Sequence, residues 1–406
     1  MKIYKVGGAV RDNLLGIPVQ DRDWVVVGGS PEAMLELGYT PVGRDFPVFL
    51  HPETREEYAL ARTERKTAPG YKGFSIDAAP GVTLEQDLQR RDLTINAIAE
   101  DTDGNIIDPF NGRADLAAGI LRHVSAAFVE DPLRVLRVAR FAGRFNFSIA
   151  DETMLLMRQI SSSGELQALA PERVWQETER ALAEATPVRF FTVLRECGAL
   201  AEIFPEIDNL YGVPQPENYH PEIDSGRHTM MVLEQACKLS PDTMVRFAAL
   251  VHDLGKAATP RQEWPSHRGH EEKSADLVMQ LCERYRIPNK YRELAVMVAR
   301  HHLDCHRIRE MQPATIIGKL ESLDAFRRPD RFAQFLLACE ADARGRAGAE
   351  QQDYPQADYF NACLQAATDI SIRELTEQGL EGKAMAEAIR QSRITAIRTM
   401  LSNNSN

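Results

Sequence analysis

The chain has 406 residues, more than the roughly 250–300 residues at which a single hydrophobic core usually stops growing, so two to four domains are expected. Hydrophobic residues make up 44% and charged residues 26%, a mixture that excludes a mostly disordered chain and a membrane protein. Lys and Arg number 48 against 59 Asp and Glu, and the net charge of −11 argues against a protein that coats nucleic acid indiscriminately.

Two features predict a cytoplasmic protein. The chain reaches Gly7 and Gly8 before an apolar run of secretory-signal length could form, and no later stretch approaches the ~18 apolar residues of a membrane span. The six cysteines include no CxxC pair, which fits reduced and mostly buried thiols.

Strand-like runs lie in the first part of the chain. Trp24–Val27, Val48–Leu50 and Glu57–Ala61 are short runs that predict strands, and Ile106-Ile107 follows a glycine-containing turn. From Asp131 onward, apolar residues recur at helical spacing. The clearest predicted helices span 132–145, 171–185, 229–239 and 274–285. The pattern predicts an α+β fold, a small mixed head with a β-sheet followed by an all-α remainder.

A proline-rich segment near the middle of the chain, Pro205–Ser225, has little helical periodicity. It is interpreted as an interdomain linker or a long ordered loop. His51 and His123 precede it, and the other eight histidines lie between residues 220 and 306. Chemistry based on histidine is therefore expected in the second half.

Two motifs near the N-terminus point to phosphate and metal chemistry. Gly7 and Gly8 follow a short apolar strand and lead into a helix, so backbone N–H groups can approach a phosphate, and Arg11 lies one turn further on. Asp21 and Asp23 are two residues apart before an apolar run, so on a strand their carboxylates share one face. Because these carboxylates repel, the pair predicts a ligand set for Mg²⁺, which binds carboxylates together with substrate phosphates.

Arginines form two further groups. Arg90 and Arg91 open the apolar segment 89–99, interpreted as a helix, and cations at a helix N-terminus indicate an anion such as a triphosphate opposite them. In segment 130–144, four arginines share an arc of about 120° on a predicted helix whose other side is apolar. Guanidinium groups suit bidentate contacts to phosphates and base edges. The four are Arg134, Arg137, Arg140 and Arg144.

In this order and at these separations, the motifs GGAVRD, DRD, RRDLTINAIA and EDPLRVLRVARF resemble the class II tRNA nucleotidyltransferases, the CCA-adding enzymes, and their poly(A) polymerase relatives. The match covers roughly residues 1–180. The resemblance implies addition and repair of the 3′-terminal CCA of tRNA without a nucleic-acid template. It also implies CTP and ATP as substrates, tRNA as partner and Mg²⁺ as cofactor.

The resemblance implies roles for individual residues. Gly8 and Arg11 would hold the nucleotide phosphates, and Arg91 would contact the nucleotide. Asp21 and Asp23 would bind the catalytic metal ions, a role that agrees with the physical interpretation of the pair.

The helix of arginines would select the nucleotide. The resemblance implies that Asp131 and Arg134, in the EDxxR pattern, present a protein template to the Watson–Crick edge of CTP and then ATP. Arg137 and Arg140 would assist binding. An Asp and an Arg together complement the exocyclic amino group and ring nitrogen of C or A, whereas U and G pair badly with them.

The sequence leaves undecided the roles of two elements near the predicted metal site. The segment 62–74 is basic, contains glycine and lacks periodicity, so it predicts a loop. The resemblance implies a flexible element that changes position when specificity switches from C to A, whereas the residues alone fit a plain surface loop equally well. Family members use a third carboxylate near the metals, for which Glu57 is a nearby candidate outside the predicted set.

The second half contains a group of histidines and carboxylates. His228 opens one predicted helix, and His252-Asp253 closes another, with Gly255 at the expected helix end. Such side chains from several helices can hold a first-row transition metal whose bound water attacks a phosphate ester. Scattered surface and core histidines are the alternative interpretation.

This second group resembles the HD phosphohydrolase superfamily, in which His, His-Asp and a distal Asp bind the metal. The implied ligands are His228, His252, Asp253 and Asp342, with a transition metal such as Ni²⁺. Whether His270, His301 or His302 completes the site stays open.

A subset of bacterial CCA-adding enzymes carries such a domain, and the resemblance extends to them over most of the chain. It implies phosphatase, 2′-nucleotidase and 2′,3′-cyclic phosphodiesterase activities. The predicted domains are a nucleotidyltransferase head, a helical neck that selects the nucleotide, an HD domain and a helical tail, at 1–122, 123–220, 221–345 and 346–406. A monomer or homodimer with no membrane partner is expected.

Three rival functions share some of these features. A poly(A) polymerase shares the head motifs but is expected to have a strongly basic tail, whereas residues 372–406 are mixed in sign. A non-catalytic tRNA-binding protein would gain nothing from Asp21 and Asp23. The third rival is a phosphohydrolase whose head is vestigial.

Overall fold

The computed structural model describes residues 1–19, 21–42, 48–66, 74–218, 220–371 and 380–403, with the backbone alone over 64–66 and 74–77. The chain divides into two compact units, Met1–Ile203 and Phe204–Asn406. All the strands described below belong to the first unit. The predicted α+β class is confirmed.

The first unit contains strands and helices. Its strands are β1 (Lys2–Val6), β2 (Asp23–Val27), β3 (Thr40–Val42), β4 (Val48–Leu50), β5 (Glu57–Leu60), β6 (Thr63–Lys66), β7 (Phe74–Asp77), β8 (Ala99–Glu100), β9 (Ile106–Ile107), β10 (Ile120–Leu121) and β11 (Ser148–Ile149). Its helices are α1 (Gly8–Leu14), α2 (Pro31–Glu36), α3 (Leu84–Gln89), α4 (Gly112–Ala118), α5 (Leu133–Phe145), α6 (Asp151–Ser162), α7 (Pro171–Ala183), α8 (Pro187–Glu196) and α9 (Ala199–Ile203).

The second unit is built from helices. They are α10 (Pro205–Asp208), α11 (Ser225–Leu239), α12 (Thr243–Val251), α13 (His270–Arg284), α14 (Asn289–His306), α15 (Pro313–Ser322), α16 (Pro329–Arg344), α17 (Pro355–Thr368) and the helix Gly382–Asn403. Short 3₁₀ helices in the two units span Thr94–Asn96, Ala126–Glu130, Glu165–Ala168, Leu254–Ala258, Arg261–Glu263 and Ile308–Glu310. The predicted helices correspond to α5, α7, α11 and α13.

Among the described residues, seven strands form one mixed sheet in the order β3-β4-β5-β2-β1-β8-β9. β2 lies at its centre, antiparallel to β1 and parallel to β5, with Asp23 opposite Glu57. Val25 packs in the core on one face of the sheet and Val26 in the core on the other. Because both faces are covered, β2 is a continuous apolar run rather than an alternating one.

The apolar segment that begins near Arg90 is not a helix, so this prediction is wrong. α3 ends at Gln89, and a 3₁₀ turn over 94–96 precedes β8. Arg90 and Arg91 therefore lie at the C-terminal end of a helix, where cations are favourable, and both pair with the buried carboxylate of Asp87. The run is apolar because it is buried, and a short buried run does not reveal its period.

The segment 62–74, predicted as a loop, contains strand at both ends. β6 pairs with β7 in antiparallel fashion, with Thr63 opposite Asp77. Residues 67–73 lie outside the described residues, and the predicted movement of the segment stays a prediction. Backbone hydrogen bonds define these strands, so the search for apolar alternation missed them.

The described residues of the segment Pro205–Ser225, which leave out Tyr219, belong to the second unit. α10 begins at its first residue, and Leu210 and Val213 are buried. The boundary between the units falls directly before it, after Ile203. The interpretation as a long ordered loop is therefore the better one, and the four predicted domain ranges stay predictions.

Helices α11, α12, α14 and α16 of the second unit pack against one another. The core between α11, α12 and α16 includes Val232, Ala236, Ala249 and Ala341, whose small side chains allow close approach of these helices. This packing brings together segments of the chain more than 100 residues apart. Within the described ranges, no helix is both long and apolar enough to cross a membrane.

Candidate active sites

The first unit contains a cleft of about 940 Å³ between the β1–α1 turn, β2 and α5. All the residues that the sequence assigned to nucleotide chemistry line it. They are Gly8, Arg11, Asp21, Asp23, Arg91, Asp131, Arg134, Arg137 and Arg140. The cleft thus combines a wall of carboxylates with a wall of arginines.

The carboxylate wall comes from two parallel strands. Asp23 is the first residue of β2, whereas Asp21 precedes the strand, so the pair is not on one strand as predicted. Glu57 lies opposite Asp23 in the register of β5 and also lines the cleft. The protein around Asp23 desolvates its carboxylate and raises its pKa, Arg91 opposes this rise and the charge of Asp21 adds to it. Carboxylates held together in this way fit a divalent cation.

The turn between β1 and α1 requires its first glycine more than its second. Gly7 has φ +69°, and a Cβ on it would lie 2.7 Å from Arg91 Nη1. A Cβ on Gly8 would lie 3.5 Å from Arg11 Nη2, an ordinary contact distance. Gly7 is therefore a positioning residue that the sequence motif included without singling it out.

Arg11 is almost completely buried at the base of the cleft. Its Nε donates to Asp12 at 2.8 Å and its Nη1 to Asn96 at 2.5 Å. Its guanidinium lies over the ring of Phe141, 5.1 Å from the centroid. These contacts hold the guanidinium rigidly where the sequence motif placed a phosphate-binding group.

Carboxylates hold the arginines in the middle of α5. Arg137 Nε donates to Asp92 Oδ2 at 2.8 Å, and Arg140 Nε donates to Glu177 Oε2 at 2.7 Å. Burial alone would raise the pKa of Asp92, but Arg137, Asn96 and Arg134 lower it, and the net pKa lies below the ordinary value. The sequence motifs did not identify Glu177, which comes from α7.

The predicted template pair lies where α5 begins. Asp131 Oδ1 accepts the backbone N–H of Leu133 at 3.1 Å, so its carboxylate also satisfies the helix N-terminus. Arg134 donates to the carbonyl oxygens of Ala127 at 2.9 Å and Arg90 at 2.5 Å. Both side chains are therefore fixed at the cleft by contacts within the protein.

The second unit contains a buried cluster of histidines and carboxylates from four helices and the turn after α12. The ligand atoms of His228, His252 and Asp253 lie within 4.8 Å of one another, as do those of His252, His302 and Asp342 and those of Asp253, His270 and His302. His228 Nε2 lies 3.0 Å from Asp342 Oδ1, and His270 Nε2 lies 3.1 Å from Asp253 Oδ1. The structure thus brings together the whole predicted set.

Three of these histidines present the same ring nitrogen to the cluster. The Nδ1 atoms of His252, His270 and His302 lie 2.8–3.0 Å from the backbone carbonyl oxygens of Ala249, His267 and Val298. A carbonyl oxygen can only accept, so each Nδ1 carries a proton, and Nε2 is the nitrogen left to bind a metal ion when the imidazole is neutral. This is the tautomer that a metal ligand requires.

Three atoms of the cluster are placed to bind a cation. His252 Nε2, Asp253 Oδ1 and His270 Nε2 are buried, and although His270 Nε2 and Asp253 Oδ1 are 3.1 Å apart, none of the three atoms makes a hydrogen bond of good geometry within the part of the chain that the structure describes. Burial lowers the pKa of His302 to about 3, so its imidazole is neutral at pH 7. Burial lowers the pKa of His252 as well, but Asp253 and Asp342 raise it to about 10. The negative charges of Asp253 and Asp342, which favour a proton on His252, also favour a metal ion. A bound metal ion would compete with that proton.

The geometry decides between the histidines that the sequence left open. His302 and His270 belong to the cluster, whereas His301 pairs with Asp304 at 2.9 Å and lies outside it. The sequence interpretation also missed His306, whose Nε2 lies 2.6 Å from Asp342 Oδ2. His306 is one helical turn after His302 on α14, and this i, i+4 spacing was the available signal.

Gly255 was predicted to mark the end of a helix, but in the structure it has a packing role instead. It lies within the 3₁₀ turn Leu254–Ala258, and a Cβ on it would lie 2.2 Å from the carbonyl oxygen of His270 and 2.5 Å from the N atom of Ser274. The glycine therefore permits the N-terminus of α13, and with it His270, to approach Asp253.

Gly255→Ala should therefore lower the free energy of unfolding by about 1–3 kcal/mol, because the added methyl group meets rigid backbone. Urea unfolding measures this change. Gly318→Ala is the matched control, since no atom lies within 4 Å of its Cβ position and helical alanine is favoured over glycine by about 0.5–1 kcal/mol. Equal stability of the two variants would contradict the packing argument.

Family models match the chain in three consecutive segments. Residues 3–122 match the Poly A polymerase head domain, and residues 146–211 match the Probable RNA and SrmB- binding site of polymerase A. Residues 226–326 match the HD domain. The cleft is lined by residues of the first two segments and of the stretch between them, and the histidine cluster falls in the third segment except for Asp342, which lies beyond it.

Curated relatives match almost the whole chain. The Multifunctional CCA protein of Thioalkalivibrio sulfidiphilus is 64% identical over 403 residues, which cover 98% of each chain. The chain belongs to the multifunctional CCA protein family. The Multifunctional CCA protein of Nitrosococcus oceani is 63% identical over 398 residues, again covering 98% of each chain. The family and enzyme class predicted from the motifs are confirmed.

Solved structures of CCA-adding enzymes share the fold. An apo form of a CCA-adding enzyme is 21% identical with a TM-score of 0.67, covering 99% of this chain and 92% of that chain. The Bacillus stearothermophilus CCA-adding enzyme in complex with CTP is 21% identical with a TM-score of 0.63, covering 98% of this chain and 89% of that chain. The chain is thus an enzyme with a nucleotidyltransferase head and an HD domain, both of which imply divalent metal ions.

Proposed function

We propose that this chain adds and repairs the 3′-terminal CCA of tRNA from CTP and ATP, and that its HD domain hydrolyses phosphate esters at tRNA ends. The observation that carries the first activity is the convergence of nine separately predicted residues on one cleft. The convergence of His228, His252, Asp253 and Asp342 supports the second. The relatives named Multifunctional CCA protein support tRNA as the substrate.

In the head, Asp21 and Asp23 hold Mg²⁺, with Glu57 as a third carboxylate on the neighbouring strand. Bound Mg²⁺ supplies activation of the primer's terminal hydroxyl and neutralisation of the departing pyrophosphate. Gly8 and Arg11 position the nucleotide phosphates. Arg91, Arg137 and Arg140 add positive charge around the nucleotide.

Asp131 and Arg134 select the base. The Asp131 carboxylate accepts from the exocyclic amino group of C or A, and Arg134 donates to the ring nitrogen. The contacts of both side chains with the start of α5 and with backbone carbonyls support a fixed template, because they limit the rotation of the two groups. A fixed template of this kind disfavours U and G.

In the HD domain, His228, His252, Asp253 and Asp342 hold a transition metal such as Ni²⁺, and His270 and His302 complete the set around Asp253. The bound metal supplies a water of lowered pKa for attack on a phosphate ester. The protein's own part is to direct the Nε2 atoms toward the metal and to exclude bulk water, which the carbonyl contacts of Nδ1 and the burial of the cluster support. Phosphatase, 2′-nucleotidase and 2′,3′-cyclic phosphodiesterase activities would follow from one such centre.

The test of the proposal is incorporation of each labelled nucleotide into tRNA lacking its 3′ end and into an unstructured RNA. We expect two C and one A on the tRNA, and no U or G. Processive addition of A to both RNAs would identify a poly(A) polymerase instead. A monomer or homodimer in the cytoplasm stays a prediction, which size-exclusion chromatography and cell fractionation would test.

A further inference from the structure

Glu222 lies behind one ligand of the histidine cluster. The Nδ1 atom of His228 lies 3.0 Å from Glu222 Oε1 and 3.2 Å from the carbonyl oxygen of Gly345, whereas its Nε2 lies 3.0 Å from Asp342 Oδ1. The two ring nitrogens of His228 therefore face two different carboxylates. One of these, Asp342, belongs to the proposed metal set, and the other has no role in the function described above.

Glu222 is a buried acceptor with several donors. Its side chain is 4% exposed, His220 Nδ1 lies 3.0 Å from the same Oε1, and the backbone N–H of Ala347 donates to Oε2 at 3.2 Å. N–H groups thus face both oxygens of the Glu222 carboxylate, which acts as their acceptor.

We propose that Glu222 is a positioning residue of the HD centre. Together with the carbonyl oxygen of Gly345, it accepts the proton of His228 Nδ1, and so holds the tautomer in which Nε2 is the metal ligand and directs that atom toward Asp342. Of the four histidines His228, His252, His270 and His302, His228 is the one with a carboxylate within hydrogen-bond distance of Nδ1. Carboxylates behind a ligand histidine raise its basicity, and their loss costs about 10–100-fold in metal affinity. This inference rests on the proposed metal set.

An ion bound by Glu222 itself is the alternative. One ligand atom from each of His220, Glu222 and His228 lies within 4.8 Å of the others. An ion there would displace the protons that both Nδ1 atoms donate to Glu222, and His228 would have to bridge two cations. The hydrogen-bonded arrangement needs neither change, so we favour positioning, and the number of bound ions distinguishes the two.

The test is Ni²⁺ binding to the metal-free full-length chain, measured by competition with a chromophoric chelator. We expect Glu222→Ala to weaken Ni²⁺ affinity about 10–100-fold with the same number of ions bound. Glu222→Gln should fall between wild type and Glu222→Ala, because a neutral amide oxygen accepts more weakly than a carboxylate. Glu217→Gln, an exposed carboxylate of the same segment, is the matched control and should bind Ni²⁺ like wild type.

Wild-type affinity in Glu222→Ala would overturn the proposal, and so would the loss of one whole ion with the remainder bound at wild-type affinity. Circular dichroism and the melting temperature report whether each variant folds, and Glu222→Gln keeps the size of the side chain if the alanine variant does not. His228→Ala tests the proposed metal ligand set separately from the role of Glu222. If it also binds Ni²⁺ like wild type, the proposed ligand set fails and not the role of Glu222 alone.

Discussion

Replacing Asp21 and Asp23 with Ala should lower incorporation of labelled CTP into tRNA lacking its 3′ end by at least about 10³-fold. The two carboxylates anchor the metal ions, which supply several kcal/mol of transition-state stabilisation, and about 4 kcal/mol correspond to 10³-fold in rate. Binding of tRNA should persist, because loss of negative charge beside Arg91 does not weaken attraction for an RNA phosphate. Single-turnover incorporation and a gel-shift assay measure the two effects.

Asp103→Ala is the matched control, an exposed carboxylate in a turn of the same unit. It should incorporate CTP like wild type. Incorporation by the double variant at more than about a tenth of the wild-type rate would refute the assigned role of the pair. Loss of tRNA binding together with incorporation would point to misfolding of the head, which circular dichroism would reveal. CTP incorporation by Glu57→Gln then tests whether the neighbouring strand contributes a third ligand.

His252→Ala should remove metal-dependent hydrolysis of 2′,3′-cyclic phosphates and leave CCA addition intact. Its Nε2 faces both Asp253 and Asp342, so the variant loses a central ligand. The loss should exceed the 10–100-fold that is typical of a residue behind a ligand. Hydrolysis of a cyclic nucleotide with added Ni²⁺ measures the first activity, and CTP incorporation on the same preparation measures the second.

His301→Ala is the control for this variant. It removes an imidazole from the same helix as His302, but His301 pairs with Asp304 outside the cluster. It should hydrolyse the cyclic phosphate like wild type. If His252→Ala retains hydrolysis, the metal assignment is wrong, and if both variants lose CCA addition as well, the substitutions disturb folding.

Short sequence patterns were sufficient to predict secondary structure that depends on residues close together in the chain. The strand Trp24–Val27 follows from a short run of aromatic and β-branched residues, and the amphipathic helix after Asp131 follows from the helical period of its apolar residues. The prediction over Arg90 and Arg91 failed because a short buried run has no visible period. A capping box between Thr83 and Gln86 was the signal that a helix begins earlier.

Contacts between distant segments could not be predicted from the sequence. Glu177 could not be assigned to Arg140, nor Glu57 to Asp23, because each pair meets only through packing of separate elements. The choice of His302 over its neighbour His301 likewise depends on which face of α14 is buried. A difference of one residue rotates a helical side chain by about 100°, and tertiary packing alone fixes which of the two faces inward.

The sequence by itself determined the chemistry: two aspartates, a face of arginines, and a set of histidines and carboxylates, in an order that identified the family. It also determined that the net charge of −11 is an average over a chain in which arginines gather on one helix and one loop of the first 145 residues. The tertiary structure decided which of these groups meet and what holds them. Ligand geometry and ring tautomer depend on contacts such as His228 with Glu222 and Asp342, and residues 114 positions apart come together only when the helices pack.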